Sequence, residues 1–144
     1  NSFLRKSSAI TGIDIEQLRQ IIKYRSVRVG SKIFINGAAY KFGYSLHSIP
    51  AINFTVYLQG KSIYFSGDTL YDPTKYDELV SAGVISKGRR DSLLEGGWNN
   101  SIILHEAGKP PLHTPVKILE TLPKDIKEKI YLYHVSSKEI PNNS

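Results

Sequence analysis

Ser101-Ile-Ile-Leu-His-Glu-Ala-Gly-Lys-Pro-Pro-Leu-His-Thr114 is an apolar run that leads straight into a histidine and a carboxylate, then into a turn stiffened by two prolines. Rigid strands aim side chains from the loops that follow them, so such a junction is where an α/β scaffold places chemistry. The same grammar recurs on both sides. Upstream, Asn53 to Leu58 alternates, with Phe54, Val56 and Leu58 on one face. A turn at Gln59-Gly60 makes Lys61 to Ser66 its hairpin partner, and that strand stops at Gly67-Asp68-Thr69. Earlier still, Lys32-Ile-Phe-Ile35 turns at Asn36-Gly37 into a strand over Ala38 to Leu46 that ends at His47, and Pro50 marks a loop. Downstream, Ile130-Tyr-Leu-Tyr133 delivers His134-Val135-Ser136.

Helices fill the gaps between these strands. Asp14 can cap a short helix to Lys23 in which Leu18, Ile21 and Ile22 fall at helical spacing. A helical stretch is expected around Tyr76 to Ala82, followed by a glycine-rich, basic loop through Trp98. Pro115 to Leu122 suits a helix with proline in its first turn, and Asp125 to Lys129 a second piece. The pattern is an α/β chain built around one sheet, without repeats or low-complexity tracts.

Composition narrows the function classes. The chain has no cysteine, so neither a disulfide framework nor a thiolate metal site is available, and any metal must be held by imidazole and carboxylate. No apolar run approaches the roughly 18–20 residues that span a bilayer, and the start, Asn1-Ser-Phe-Leu-Arg-Lys6, lacks the apolar stretch of a secretory signal. An intracellular, cytoplasmic location is expected, with no membrane partner. The net charge of +6 suits an anionic partner or simply a solvated, lysine-rich surface. Its cations are dispersed (Lys23, Arg25, Arg28; Lys87, Arg89, Arg90; Lys124, Lys127, Lys129), which is not the dense stripe of a dedicated nucleic-acid module.

Taken singly, His47, Asp68, Glu106, His113 and His134 each have an ordinary explanation as a loop or turn residue. Their order is more telling. His47-Ser48, Ser66-Gly-Asp-Thr69, Leu104-His-Glu-Ala107, His113-Thr114 and Tyr133-His-Val-Ser136 form a series. That series resembles the later motifs of the metallo-β-lactamase superfamily, in its ribonuclease Z-like branch. A looser likeness links it to bacterial proteins that join a cyclic-nucleotide-binding domain to such a hydrolase. The resemblance covers about residues 38–137, and Tyr44-Ser-Leu-His-Ser-Ile-Pro50 and Leu104 to Thr114 are its most specific stretches.

The resemblance implies part of an αββα sandwich: one sheet's worth of strands with outer helices. It implies a metal-dependent hydrolase of phosphodiesters, RNA or cyclic nucleotide. His47 and His134 would each ligate one of two metal ions and Asp68 would bridge them, since imidazole donates one lone pair whereas a carboxylate has two oxygens. Zinc is the expected metal, with manganese or iron as alternatives. Glu106 and His113 match the pair that protonates the leaving oxygen, the carboxylate fixing the imidazole tautomer. His105 is left as structural.

One part of the family pattern is missing. A His-x-His-x-Asp-His segment normally precedes the residue matched by His47, and no histidine lies between Asn1 and Leu46. The chain is therefore expected to be one partial domain over 1–144, with a helical lead-in over 1–30 and the sheet and helices over 31–137. Its first partner is then the absent upstream half, which would cover the bare apolar face of the sheet, and a homodimer is a further option. Alone, the segment should bind zinc weakly and be inactive. The long arm that grips tRNA is not evident between Asp68 and Ser101, which favours a small phosphodiester over precursor tRNA. Two alternatives stay open: a non-catalytic binding or assembly module, and a carboxyl-ester or thioester hydrolase.

Overall fold

The computed structural model describes residues 2–23 and 25–136, so residue 1 and residues 137–144 of the expected domain lie outside the described part. Six strands form one sheet in sequence order: β1 (Lys32–Ile35), β2 (Ala38–Tyr44), β3 (Ile52–Leu58), β4 (Lys61–Phe65), β5 (Ile102–Glu106) and β6 (Ile130–Tyr133). The first four are antiparallel neighbours, while β4, β5 and β6 run parallel. The two short hairpins follow from their turn residues. Asn36-Gly37 and Gln59-Gly60 all take positive φ, the type I′ geometry whose twist matches that of the strands.

Parallel strands need crossovers, and helices supply them. Between β4 and β5 lie α3 (Pro73–Ser81) and α4 (Lys87–Glu95); between β5 and β6 lie α5 (Val116–Glu120) and α6 (Lys124–Lys127). The core forms where these helices meet one face of the sheet. It contains Tyr71, Tyr76, Leu93, Trp98, Ile103, Ala107 and Leu119, with Ile130 and Ile126 packed beside them. Two helices precede the sheet, α1 (Ser2–Thr11) and α2 (Ile15–Ile21). Asp14 caps α2 by accepting the Glu16 N–H at 2.8 Å.

The other face is the more exposed one. Cross-strand register puts Phe42, Phe54 and Phe65 on this face, and their rings follow one another at 6.0 and 5.2 Å before Phe65 stacks on Tyr133 at 4.9 Å. Around this row Tyr44, Ile52, Leu58, Ile63, Ile102 and Tyr131 are exposed.

Local expectations are corrected at α4 and at two strand ends. The stretch expected as a basic loop contains α4, held by Ser86, whose hydroxyl accepts the Arg89 N–H, and by Arg90 pairing with Asp77 of α3. On β3 the buried residue is Thr55, on the helix-covered face, while the apolar set Phe54, Val56 and Leu58 lies on the open one. Strand β2 ends at Tyr44, before Leu46, whereas β5 runs on through Glu106.

Candidate metal centre at the end of the sheet

Strands β2, β4, β5 and β6 deliver their following residues to one end of the sheet. At Gly67 the chain takes φ +61°, and a Cβ there would stand 2.0 Å from the Ile52 carbonyl oxygen. Only glycine fits a turn that is both left-handed and pressed on backbone, and this turn places Asp68. In β5 the two-residue side-chain alternation sends neighbours to opposite faces. His105 enters the core, stacked on Trp98 at 5.5 Å. Its Nδ1–H donates to the Glu106 carbonyl at 2.7 Å, and burial lowers its pKa, so the ring is a neutral structural group.

Glu106 faces the other way and is 0% exposed. Its Oε1 accepts the Thr69 N–H at 2.8 Å, and its Oε2 meets His113 Nδ1 at 2.7 Å and His134 Nδ1 at 3.4 Å. No lysine or arginine pairs with it among the described residues. A buried carboxylate needs partners, and here one backbone amide and two imidazoles provide them. His134 reaches this position by adopting φ +60°, a left-handed conformation that costs a side-chain-bearing residue roughly 1–2 kcal/mol. Its Nδ1 also lies 3.9 Å from Asp68 Oδ1.

The loop bearing His113 is locked to the loop after β4 by Thr114, which is fully buried. Its hydroxyl donates to the Thr69 carbonyl at 3.0 Å and accepts the Tyr71 N–H at 2.8 Å. The His113 ring lies 4.9 Å from that of His134 and 5.7 Å from that of His47. His47 Nε2 is buried with no hydrogen-bond partner. Its Nδ1 accepts the Ile49 N–H at 3.3 Å, a long bond that must open if Nε2 gives its lone pair to a cation and the ring proton moves to Nδ1.

All five residues singled out from the sequence thus lie at this end of the sheet. The grouping differs from the expected one. Ligand atoms of Glu106, His113 and His134 fall within 4.8 Å of one another, and Asp68 and His47 flank this trio. The expected metal set and the expected proton-donor pair therefore merge through Glu106, which contacts histidines of both. Sequence reasoning missed Ser66, whose hydroxyl accepts the Glu106 N–H at 3.0 Å, and the Thr114 tie. Both sit within motifs already noticed, but a hydroxyl's bonding partners leave no mark in a sequence.

No family model matches the chain. Two phosphodiesterases of Dictyostelium discoideum do. The cGMP-dependent 3',5'-cGMP phosphodiesterase A is 41% identical over 143 residues, 99% of this chain but 16% of that protein. The cAMP/cGMP-dependent 3',5'-cAMP/cGMP phosphodiesterase B is 40% identical over 136 residues, 94% of this chain and 12% of that protein. The chain therefore spans only a small part of either relative. Among solved structures, the metallo-β-lactamase-fold protein YhfI of Bacillus subtilis superposes with a TM-score of 0.52 at 11% identity, covering 84% of this chain and 47% of that one. The superposition shows that the chain has the fold of part of a metallo-β-lactamase-fold protein, and in sequence it is similar to a stretch of these two cyclic-nucleotide phosphodiesterases.

Proposed function

We propose that the chain provides the later half of the catalytic centre of a metal-dependent phosphodiesterase acting on a cyclic nucleotide. The observation that carries this reading is the cluster of Glu106, His113 and His134, flanked by Asp68 and by the orphaned, buried Nε2 of His47. A buried imidazole nitrogen without a partner is costly unless a group absent from the chain engages it. The donors suit a metal of the zinc, manganese or iron kind, with zinc first, since all are imidazole or carboxylate.

In this reading His47, His134 and Asp68 would hold the metal ions, and such ions, when bound, would supply Lewis-acid activation and a nucleophile at neutral pH. Glu106 is an orienting group, because both of its oxygens are already engaged, by the Thr69 amide and by His113. With Nδ1 held by the carboxylate, His113 presents Nε2 to the leaving oxygen and gives it a proton. Remaining ligands come from an upstream His-x-His-x-Asp-His segment whose strands would also cover the aromatic face. Among the described residues no helix is long and apolar enough to cross a membrane, and an intracellular, cytoplasmic setting is part of the proposal.

The test uses the longer protein that carries this chain. Cyclic-nucleotide hydrolysis should be abolished by chelation and restored by zinc, and Asp68→Ala should abolish it together with bound metal. Hydrolysis that survives complete metal removal would overturn the reading.

A further inference from the structure

Helix α4 carries a guanidinium that reaches across to the end of β2, where the loop bearing His47 begins. Arg89 donates from Nη2 to the Tyr44 carbonyl at 2.6 Å and lies 3.5 Å from the Ser45 carbonyl. It has no carboxylate partner among the described residues, although Arg90 beside it pairs with both Asp77 and Asp91. The half-buried charge of Arg89 is thus committed to backbone carbonyls at the point where β2 ends.

Every residue between that point and His47 is tied down. Ser45 donates its hydroxyl to the Ser66 carbonyl at 2.5 Å, which couples it to the strand leading into Asp68. The Leu46 carbonyl accepts the Leu70 N–H at 2.8 Å. The anchors at Ser45 and Leu46 join this loop to the segment around Asp68, whereas Arg89 joins it to the helical layer. A side chain that must hold one lone pair in place needs its backbone fixed from more than one direction, because a small loss of alignment weakens coordination.

We infer that Arg89 is a positioning residue that sets the approach of His47 to the metal centre. This rests on the reading of His47 as a ligand. Arg89 touches no reacting atom, and its effect passes through the Tyr44 and Ser45 carbonyls to the loop that follows. Lysine offers one compact donor in place of the planar fork and can restore only part of the hold.

The experiment compares Arg89→Met, Arg89→Lys and Arg90→Ala with the parent, in the full-length protein. Zinc affinity is measured by competition with a chromophoric chelator, melting temperature in parallel, and the His47 ring signals by nitrogen-detected NMR on the metal-free protein. Arg89→Met should weaken zinc binding about 10–100-fold, the range for losing an outer-shell support, and shift the His47 resonances. Arg89→Lys should fall between Met and parent. Arg90→Ala, which frees the same helix from Asp77, should lower the melting temperature while leaving zinc affinity and the His47 signals unchanged. Unchanged zinc affinity in Arg89→Met, or an equal loss in Arg90→Ala, overturns the inference. A parent that binds no zinc, or whose His47 signals ignore added zinc, refutes the metal reading itself, which is a distinct result.

Discussion

Replacing Thr114 by valine keeps the shape of a fully buried side chain and removes its hydroxyl. That hydroxyl satisfies two backbone groups at once, the Tyr71 N–H at 2.8 Å and the Thr69 carbonyl at 3.0 Å. Valine leaves both unpaired in a site with no access to water. Stranding a buried polar group costs about 1–3 kcal/mol, so two cost about 2–6 kcal/mol. The added methyl group returns about 0.8 kcal/mol. The expected loss is about 3 kcal/mol, a large share of the roughly 5–15 kcal/mol that holds a domain together. Urea unfolding followed by tryptophan fluorescence reads it, since Trp98 sits in the adjoining core. Thr114→Ser is the matched control: it keeps both bonds, loses one methyl group and should cost only about 1 kcal/mol. If serine proves as damaging as valine, packing and not the paired hydrogen bonds holds the two loops together, and the argument fails.

Other consequences are open to measurement. His113→Ala should lower kcat about 10²–10⁴-fold on substrates with a poor leaving group, while metal content is retained. A p-nitrophenyl ester, which needs little protonation, should be partly spared, and equal losses on both classes with reduced stability would make His113 a packing residue. The chain alone should bind zinc poorly and turn over no bis-p-nitrophenyl phosphate; robust activity would mean that its own residues complete the centre. Burial raises the Tyr64 hydroxyl to about 12, with the Tyr133 hydroxyl adding to the effect. The folded chain then resists ionisation where the unfolded chain, titrating near 10, does not. Stability should be intact below pH 10 and fall as the pH rises from 10 to about 12, with Tyr64→Phe flattening that slope.

Strand positions could be read from the sequence because each apolar run ends at a turn residue with its own chemistry: Asn36-Gly37, Gln59-Gly60 and Gly67. His47, Asp68, Glu106 and His134 could be read for the same reason, as each stands at the end of such a run, whereas His113 was marked only by the motif it shares with a known family. Helix α4 could not. Lys87-Gly-Arg-Arg-Asp-Ser-Leu-Leu-Glu95 has little apolar periodicity, and its order comes from a cap and a cross-helix ion pair that form only after folding. The covered face of β3 was also hidden. Alternation marks Phe54 and Val56 as a set, but the helices lie over the polar Thr55 side. The meeting of His113 and His134 on one carboxylate depends on the left-handed backbone at His134, a tertiary outcome that no spacing records.

The division of the sheet into an antiparallel meander and a parallel extension has a consequence for the order of folding. Strands β1 to β4 meet through tight turns and a short loop, so their pairing closes small loops and should be fast. Joining β4 to β5 requires closure of the whole crossover from Phe65 to Ile102, and β6 then waits on a second one. The cluster straddles that seam. His47 and Asp68 belong to the early part, whereas Glu106, His113 and His134 arrive with the late one. A chain emerging from the ribosome therefore holds two of these five residues before the other three, and their gathering coincides with docking of the final strand.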